Sequence, residues 1–164
     1  MLWRAAVVLL VVPILRVHMS VREGYELYAG LGYYKFFPDW GNIKGLSWSE
    51  AHDVCHNDGG HLPIINSQAE FDLLYSIFKE EVAIPAFSPL GFHDFFLDGH
   101  FVTIYGQSLS ETGYMVWGPP CDDPHKCGND TSKAHCGVMS RFSPGLYVHR
   151  CDQLFGFFCE KELW

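Results

Sequence analysis

Positive charge is scarce in this sequence. Its 164 residues include 11 lysines and arginines against 19 aspartates and glutamates, a formal net charge of −8. A surface of that sign repels phosphate backbones, which argues against nucleic-acid partners. Removing residues 1–20 takes away Arg4 and Arg16 and no acid, so the remainder is more acidic still. Long hydrophobic runs are also missing. The longest, Ala5–Leu15, has eleven residues, whereas a bilayer-spanning helix takes ~20. Catalytic signatures are absent too. There is no HExxH, no GxSxG elbow, no phosphate loop and no glycine-rich dinucleotide fingerprint. Gly30-Leu31-Gly32 lacks a third glycine, and His93-Asp94 lacks the neighbouring cysteines of a small secreted phospholipase. These gaps point away from an enzyme.

What is present describes one exported, disulfide-bonded domain. The chain is 48% hydrophobic and 18% charged, which excludes a disordered polymer. Arg4 followed by the short apolar run reads as a secretory signal over residues 1–20, with the mature chain starting near Val21. A retained membrane anchor is the alternative. Six cysteines follow: Cys55, Cys121, Cys127, Cys136, Cys151 and Cys159. An even count behind an export signal implies three disulfides, although spacing leaves fifteen pairings open. Metal ligation by Cys121, His125, Cys127, His135 and Cys136 is the rival reading, but these are not zinc-knuckle spacings.

The chain divides into a helical half and a strand-rich half. Aromatic residues from Tyr25 to Trp40, broken by Gly30, Gly32 and Pro38, predict one or two strands and a loop. Ser47-Trp48-Ser49-Glu50 and Ser67-Gln68-Ala69-Glu70 are capping boxes, each opening a helix. Trp48, Ala51, Val54 and Cys55 form the apolar stripe of the first helix. Phe71, Leu74, Tyr75 and Phe78 form that of the second. Leu62-Pro63-Ile64-Ile65 between them is expected to be a short strand. From residue 86 short apolar runs alternate with turns: residues 90–92, 95–97, 101–105, 114–117, 136–139, 146–148 and 155–159. Asp98-Gly99 marks a hairpin turn. Residues 118–135 hold three prolines, three aspartates and two cysteines, and form a single long loop of the kind that usually carries function. One domain is expected over 25–164.

Several of these stretches together resemble the C-type lectin-like domain. They are Trp48-Ser-Glu-Ala-His52 with Cys55, Gly59-Gly60-His61-Leu62, Leu90-Gly91-Phe92-x-Asp94, Trp117-Gly118-Pro119, and Cys136, Cys151 and Phe157-Phe158-Cys159-Glu160. Gly32-Tyr33-Tyr34-Lys35-Phe36, Ile64-Ile65-Asn66-Ser67 and Gly99-x-Phe101-x-Thr103 are similar to secreted insect haemolymph lectins of the lipopolysaccharide-binding type. The resemblance implies an α+β fold of two helices, a small antiparallel sheet and a long disulfide-linked loop. It also implies the pairs Cys55–Cys159 and Cys136–Cys151, leaving Cys121 with Cys127. Its function would be recognition of microbial or other glycans in innate defence, by a secreted protein with no membrane span and no nucleic-acid partner.

In the resembled family, Ca²⁺ in the long loop binds sugar hydroxyls directly. Such a site needs 6–8 oxygen ligands at roughly 2.3–2.6 Å. This sequence departs from the family wherever those ligands should be. Asp122-Asp123-Pro124-His125 stands in place of an EPN or QPD triplet. Ala134-His135 replaces the glutamate before Cys136, and Leu146-Tyr147-Val148 replaces WND. No metal or cofactor is therefore expected. Asp122, Asp123, His125, His135, Tyr147 and His149 are the candidate ligand-binding set: if the fold holds, the three histidines and Tyr147 converge near the base of the loop, while Asp122 and Asp123 also read as a solvated turn beside a small disulfide loop. A calcium-independent protein-binding module is the alternative. Asn129-Asp130-Thr131 is a glycosylation sequon in the same loop.

Overall fold

A computed structural model of the protein describes residues 24–39, 41, 45–80, 86–119 and 134–163. The order of elements is β1 (Glu26–Tyr28), β2 (Gly32–Phe37), α1 (Trp48–Asn57), α2 (Gln68–Glu80), β3 (Phe87–His93), β4 (Val102–Thr103), a single 3-10 turn at Leu109–Glu111, β5 (Ala134–Ser140), β6 (Leu146–Arg150) and β7 (Phe157–Lys161). The expected α+β class is correct. The strands form two antiparallel sheets rather than one, ordered β1-β2-β7 and β4-β3-β5-β6. In the first, the last strand returns beside the second, Tyr34 pairing with Glu160 and Phe36 with Phe158.

Both helices start where the serines predicted. At α1 the Ser47 side chain accepts the Glu50 amide and the Glu50 carboxylate accepts the Ser47 amide at 3.0 Å, completing the capping box. At α2 only half of the box forms. Ser67 Oγ accepts the Glu70 amide at 3.2 Å, but the Glu70 carboxylate bonds the Asn66 amide instead, at 2.8 Å. The α1 stripe buries Trp48, Ala51 and Cys55, and the α2 stripe buries Phe71, Leu74 and Phe78. Phe78 stands at 0% exposure against Phe36 and Phe158. Truncating such a ring to alanine costs ~3–5 kcal/mol.

Two disulfides hold the described residues together. Cys55–Cys159 ties α1 to β7 across 104 residues, and Cys136–Cys151 joins β5 to the end of β6 across 15. Closing a loop of the larger size is worth ~4–5 kcal/mol in the chain-entropy account. Both pairs are those implied by the resemblance. Residues 1–20, Cys121, Cys127, Asp122, Asp123, His125 and Asn129 lie outside the described residues.

Four local expectations need correction. Leu62–Ile65 is not a strand. Its polar groups are used one at a time: Gly91 donates to the Pro63 carbonyl at 2.7 Å, and the Ile64 amide donates to the Glu160 side chain at 3.2 Å. Proline has no N–H with which to continue a ladder. Phe95–Leu97 is an exposed turn rather than a strand, because Asp94 accepts the Gly99 amide at 2.7 Å and folds the chain back early. Residues 114–117 make only an isolated bridge, Trp117 to Leu146. The 118–135 loop is shorter than read, since Ala134 and His135 already belong to β5.

Candidate functional site

The face that borders residues 120–133 is built from the end of β3, the start of β5 and the strip Met115–Gly118. The strip is zipped to β6: Leu146 donates to the Val116 carbonyl at 2.8 Å and Gly118 donates to the Leu146 carbonyl at 3.0 Å. Gly118 is pressed onto the Tyr147 ring so closely that a Cβ there would lie 1.9 Å from Tyr147 Cζ. This packing holds Trp117 at the surface, 37% exposed, with its ring against Phe101 at 4.9 Å and Phe92 at 6.0 Å. Phe101 also lines a groove of about 320 Å³ together with His100, Val102, Ser108, Leu109 and Met115. Aromatic and apolar walls beside serine hydroxyls and an imidazole suit a ligand with apolar faces and hydroxyl rims, such as a sugar ring.

The predicted ligand set divides in two. Tyr147 and His149 lie on the same side of β6, two residues apart, and both are buried. His149 packs against Phe87 at 4.8 Å and Phe155 at 5.2 Å, while Tyr147 seals the floor under Gly118. Neither reaches an open surface, so they do not converge with His135. His135 is the exposed member. Its Nδ1 lies 3.0 Å from Asp94 Oδ1 and 3.8 Å from Asp98 Oδ1. Asp94 itself is buried, and its backbone amide donates to the His135 carbonyl at 3.1 Å, extending the β3–β5 ladder.

Among the described residues, Asp94, Asp98 and His135 bring three donor atoms within 4.8 Å of one another. They fit calcium poorly. One ligand is an imidazole rather than a hard oxygen, and the Asp94 carboxylate already serves Gly99 and His135. The 146–148 positions fit no better. Leu146 and Val148 pack into the main apolar cluster and Tyr147 into a smaller one with Phe87, Val138 and Phe155. No carboxylate or amide faces the site from β6.

Sequence reasoning missed three things here. The groove residue Met115 carried no motif, and Phe101 stood out only within Gly99-x-Phe101-x-Thr103. Phe95, Phe96 and Leu97, at 50%, 84% and 58% exposed, were read as strand when they form a projecting apolar tip. A ladder of rings runs behind that tip, with His93 stacked on Phe95 at 4.3 Å, Trp48 edge-on to His93, and His52 and His56 stacked in turn beyond Trp48. Burial holds the His93 imidazole below its ordinary pKa. The nearby His52 pushes the same way and Asp94 opposes it. The repeated histidines were the available signal.

Residues 44–161 match the Lectin C-type domain family. The hemolymph lipopolysaccharide-binding protein of Periplaneta americana is 36% identical over 149 residues, covering 88% of this chain and 54% of that protein. The chain thus spans about half the length of that relative. Among solved structures, the mouse scavenger receptor C-type lectin carbohydrate-recognition domain superposes with a TM-score of 0.64 at 18% identity, covering 87% of this chain and 98% of the other. A calcium-independent type II antifreeze protein superposes with a TM-score of 0.63 at 19% identity, covering 85% and 92%. Both likenesses speak to the fold. The family is one of recognition domains rather than enzymes, in keeping with the missing catalytic signatures. The domain match and the Periplaneta relative together place this chain in the C-type lectin family.

Proposed function

We propose that this is a secreted recognition protein for microbial glycans, lipopolysaccharide among them, and that it binds without the family's calcium bridge. The observation that carries the reading is the combination of family membership with a β6 whose 146–148 side chains are all apolar or buried. Residues 1–20 act as the export signal, and the domain over 25–164 is the secreted unit. Trp117 and the adjoining groove supply stacking. Asp122, Asp123, His125 and His135 supply hydrogen bonds to hydroxyls, while the buried Tyr147 seats the strip that carries Trp117 and His149 packs in the core behind it. The name of the Periplaneta relative supports lipopolysaccharide as a ligand, and the calcium-independent antifreeze protein offers a precedent for the fold working without the ion. Asn129 carries a glycan, and Cys121 pairs with Cys127.

The test is binding of the purified full chain to immobilised lipopolysaccharide and to a glycan array, in calcium and in EDTA. Binding should be equal in the two buffers and fall ~5- to 30-fold with Trp117→Ala, the loss of a stacked ring being worth roughly 1–2 kcal/mol. Binding abolished by EDTA would restore the calcium mechanism. A second reading, a protein-binding module on the same fold, is favoured by the projecting Phe95–Leu97 tip. An empty array would select it.

A further inference from the structure

Two glutamates are sealed inside the fold, away from the face just described. Glu70, in the first turn of α2, is 0% exposed, and Glu160, in β7, is 1% exposed. Glu70 Oε1 accepts the Tyr34 hydroxyl at 2.7 Å and Oε2 accepts the Asn66 amide at 2.8 Å. Glu160 Oε2 accepts the Ile64 amide at 3.2 Å. The sheet register sets Glu160 opposite Tyr34, whose hydroxyl reaches Glu70, so the two buried carboxyl groups are neighbours and each acts on the other's ionisation. An ionised carboxylate has no hydrogen to donate. Two neighbouring carboxyl groups can therefore share a hydrogen bond only when one of them holds a proton. Glu70 receives two outside donors and Glu160 one, so the charge belongs on Glu70 and the proton on Glu160.

Among the described residues no lysine or arginine pairs with Glu70 or Glu160. The nearest imidazole, His61, has its Nδ1 2.9 Å from the Leu62 carbonyl and 3.7 Å from Glu160 Oε2, and its Nε2 3.6 Å from Glu162 Oε1. Lys161 points to Asp58 at 3.7 Å. Glu162 adds negative potential on both glutamates, and Tyr34 and Tyr105 are neutral phenols that burial pushes above their ordinary pKa.

We propose that Glu70 and Glu160 form a proton-sharing carboxyl pair that carries one negative charge near neutral pH and fastens α2 to β2 and β7. The arrangement makes the fold tighter in acid. Burial first, and then the charge of Glu70, push Glu160 up to about 9 from 4.5, and burial raises Glu70 as well. A carboxyl with a raised folded-state pKa binds its proton more tightly when folded. Its stabilising contribution is complete below the unfolded value of 4.5 and is lost as pH rises toward 9.

Melting temperatures of the full chain across this pH range test the pair, with Glu160→Gln as the variant. Glutamine keeps an N–H donor toward Glu70 and cannot ionise. The wild type should lose several degrees as the pH rises from about 5 to about 9, and E160Q should lose markedly less over the same span, because only Glu70 is left to ionise in the pair. Parallel profiles in the two proteins would overturn the proposal. So would a rise in the wild-type melt on adding millimolar calcium that E160Q does not share, since a metal ion would then hold the pair. If E160Q fails to fold, carboxyl ¹³C titration of the wild type decides instead. One glutamate should remain protonated at neutral pH, and complete ionisation of every glutamate there would refute the pair.

Discussion

Ser47–Glu50 and Ser67–Glu70 are the same four-residue helix start, yet their glutamates end in opposite surroundings. Glu50 lies in solvent, and the Ser47 hydroxyl and amide hold its carboxyl below the usual range. Glu70 is enclosed by Tyr34, Asn66 and Glu160, and burial drives its carboxyl the other way. The local motif decides that a helix begins, and both helices do begin there. The sheet behind α2 decides what the spare oxygens do. β2 places a tyrosine hydroxyl within reach of Glu70, and no comparable donor from another element meets Glu50 among the described residues.

Substitutions at the two glutamates give the widest separation. Glu70→Ala removes the acceptor for the Tyr34 hydroxyl and the Asn66 amide and leaves Glu160 without its partner. It should cost ~3–5 kcal/mol, read as a lower urea midpoint. Glu50→Ala leaves only exposed groups behind and should shift the midpoint far less. Equal losses would erase the distinction. The serines should behave alike, because each hydroxyl accepts the same amide at the same place in its helix, at 3.4 Å from Glu50 and 3.2 Å from Glu70. Ser47→Ala and Ser67→Ala should each cost ~1 kcal/mol. A much larger loss at Ser67 would mean that the buried pair depends on that cap.

The smallest effect is the most specific. Glu50 has a lowered folded-state pKa, so its contribution is present above 4.5 and is lost as the pH falls through the lowered value. The start of α1 should therefore fray in acid while the start of α2 tightens. Hydrogen exchange of the Ser47 amide should gain speed relative to the Asn66 amide as the pH falls below about 4.5, after correction for intrinsic exchange. A constant ratio would break the comparison.

Much of the fold was legible because its punctuation is local. The serine caps, the Gly59-Gly60 stop and the Asp98-Gly99 turn each act over a few residues, and Gly99 adopts φ +77 as such a turn requires. The disulfides Cys55–Cys159 and Cys136–Cys151 came from resemblance, since geometry across 104 residues cannot be read from spacing. The candidate site was harder. In β6 the alternate residues Tyr147 and His149 face one apolar cluster while Leu146 and Val148 face another. Both sides of that strand are covered, so alternation does not tell which side meets a ligand. Asp94 was noted in the sequence only as the last residue of Leu90-Gly91-Phe92-x-Asp94 and beside His93. Its role in holding both Gly99 and His135 depends on β3 and β5 being neighbours, which no local pattern announces.

The long disulfide also sets where a pulling force can act. β1 and β7 flank β2 in one sheet, so the two ends of the described chain lie two strands apart. Tension applied between them falls first on the hydrogen bonds of that sheet, which can open one after another from the edge. The opening stops at Cys55 and Cys159, because from there the load passes through a covalent bond and bypasses the 103 residues between. The end of α1 after Cys55, all of α2, the second sheet and Trp117 are thus outside the path of the force. A protein tethered at its ends can stretch by its margins while the face beside the loop keeps its shape.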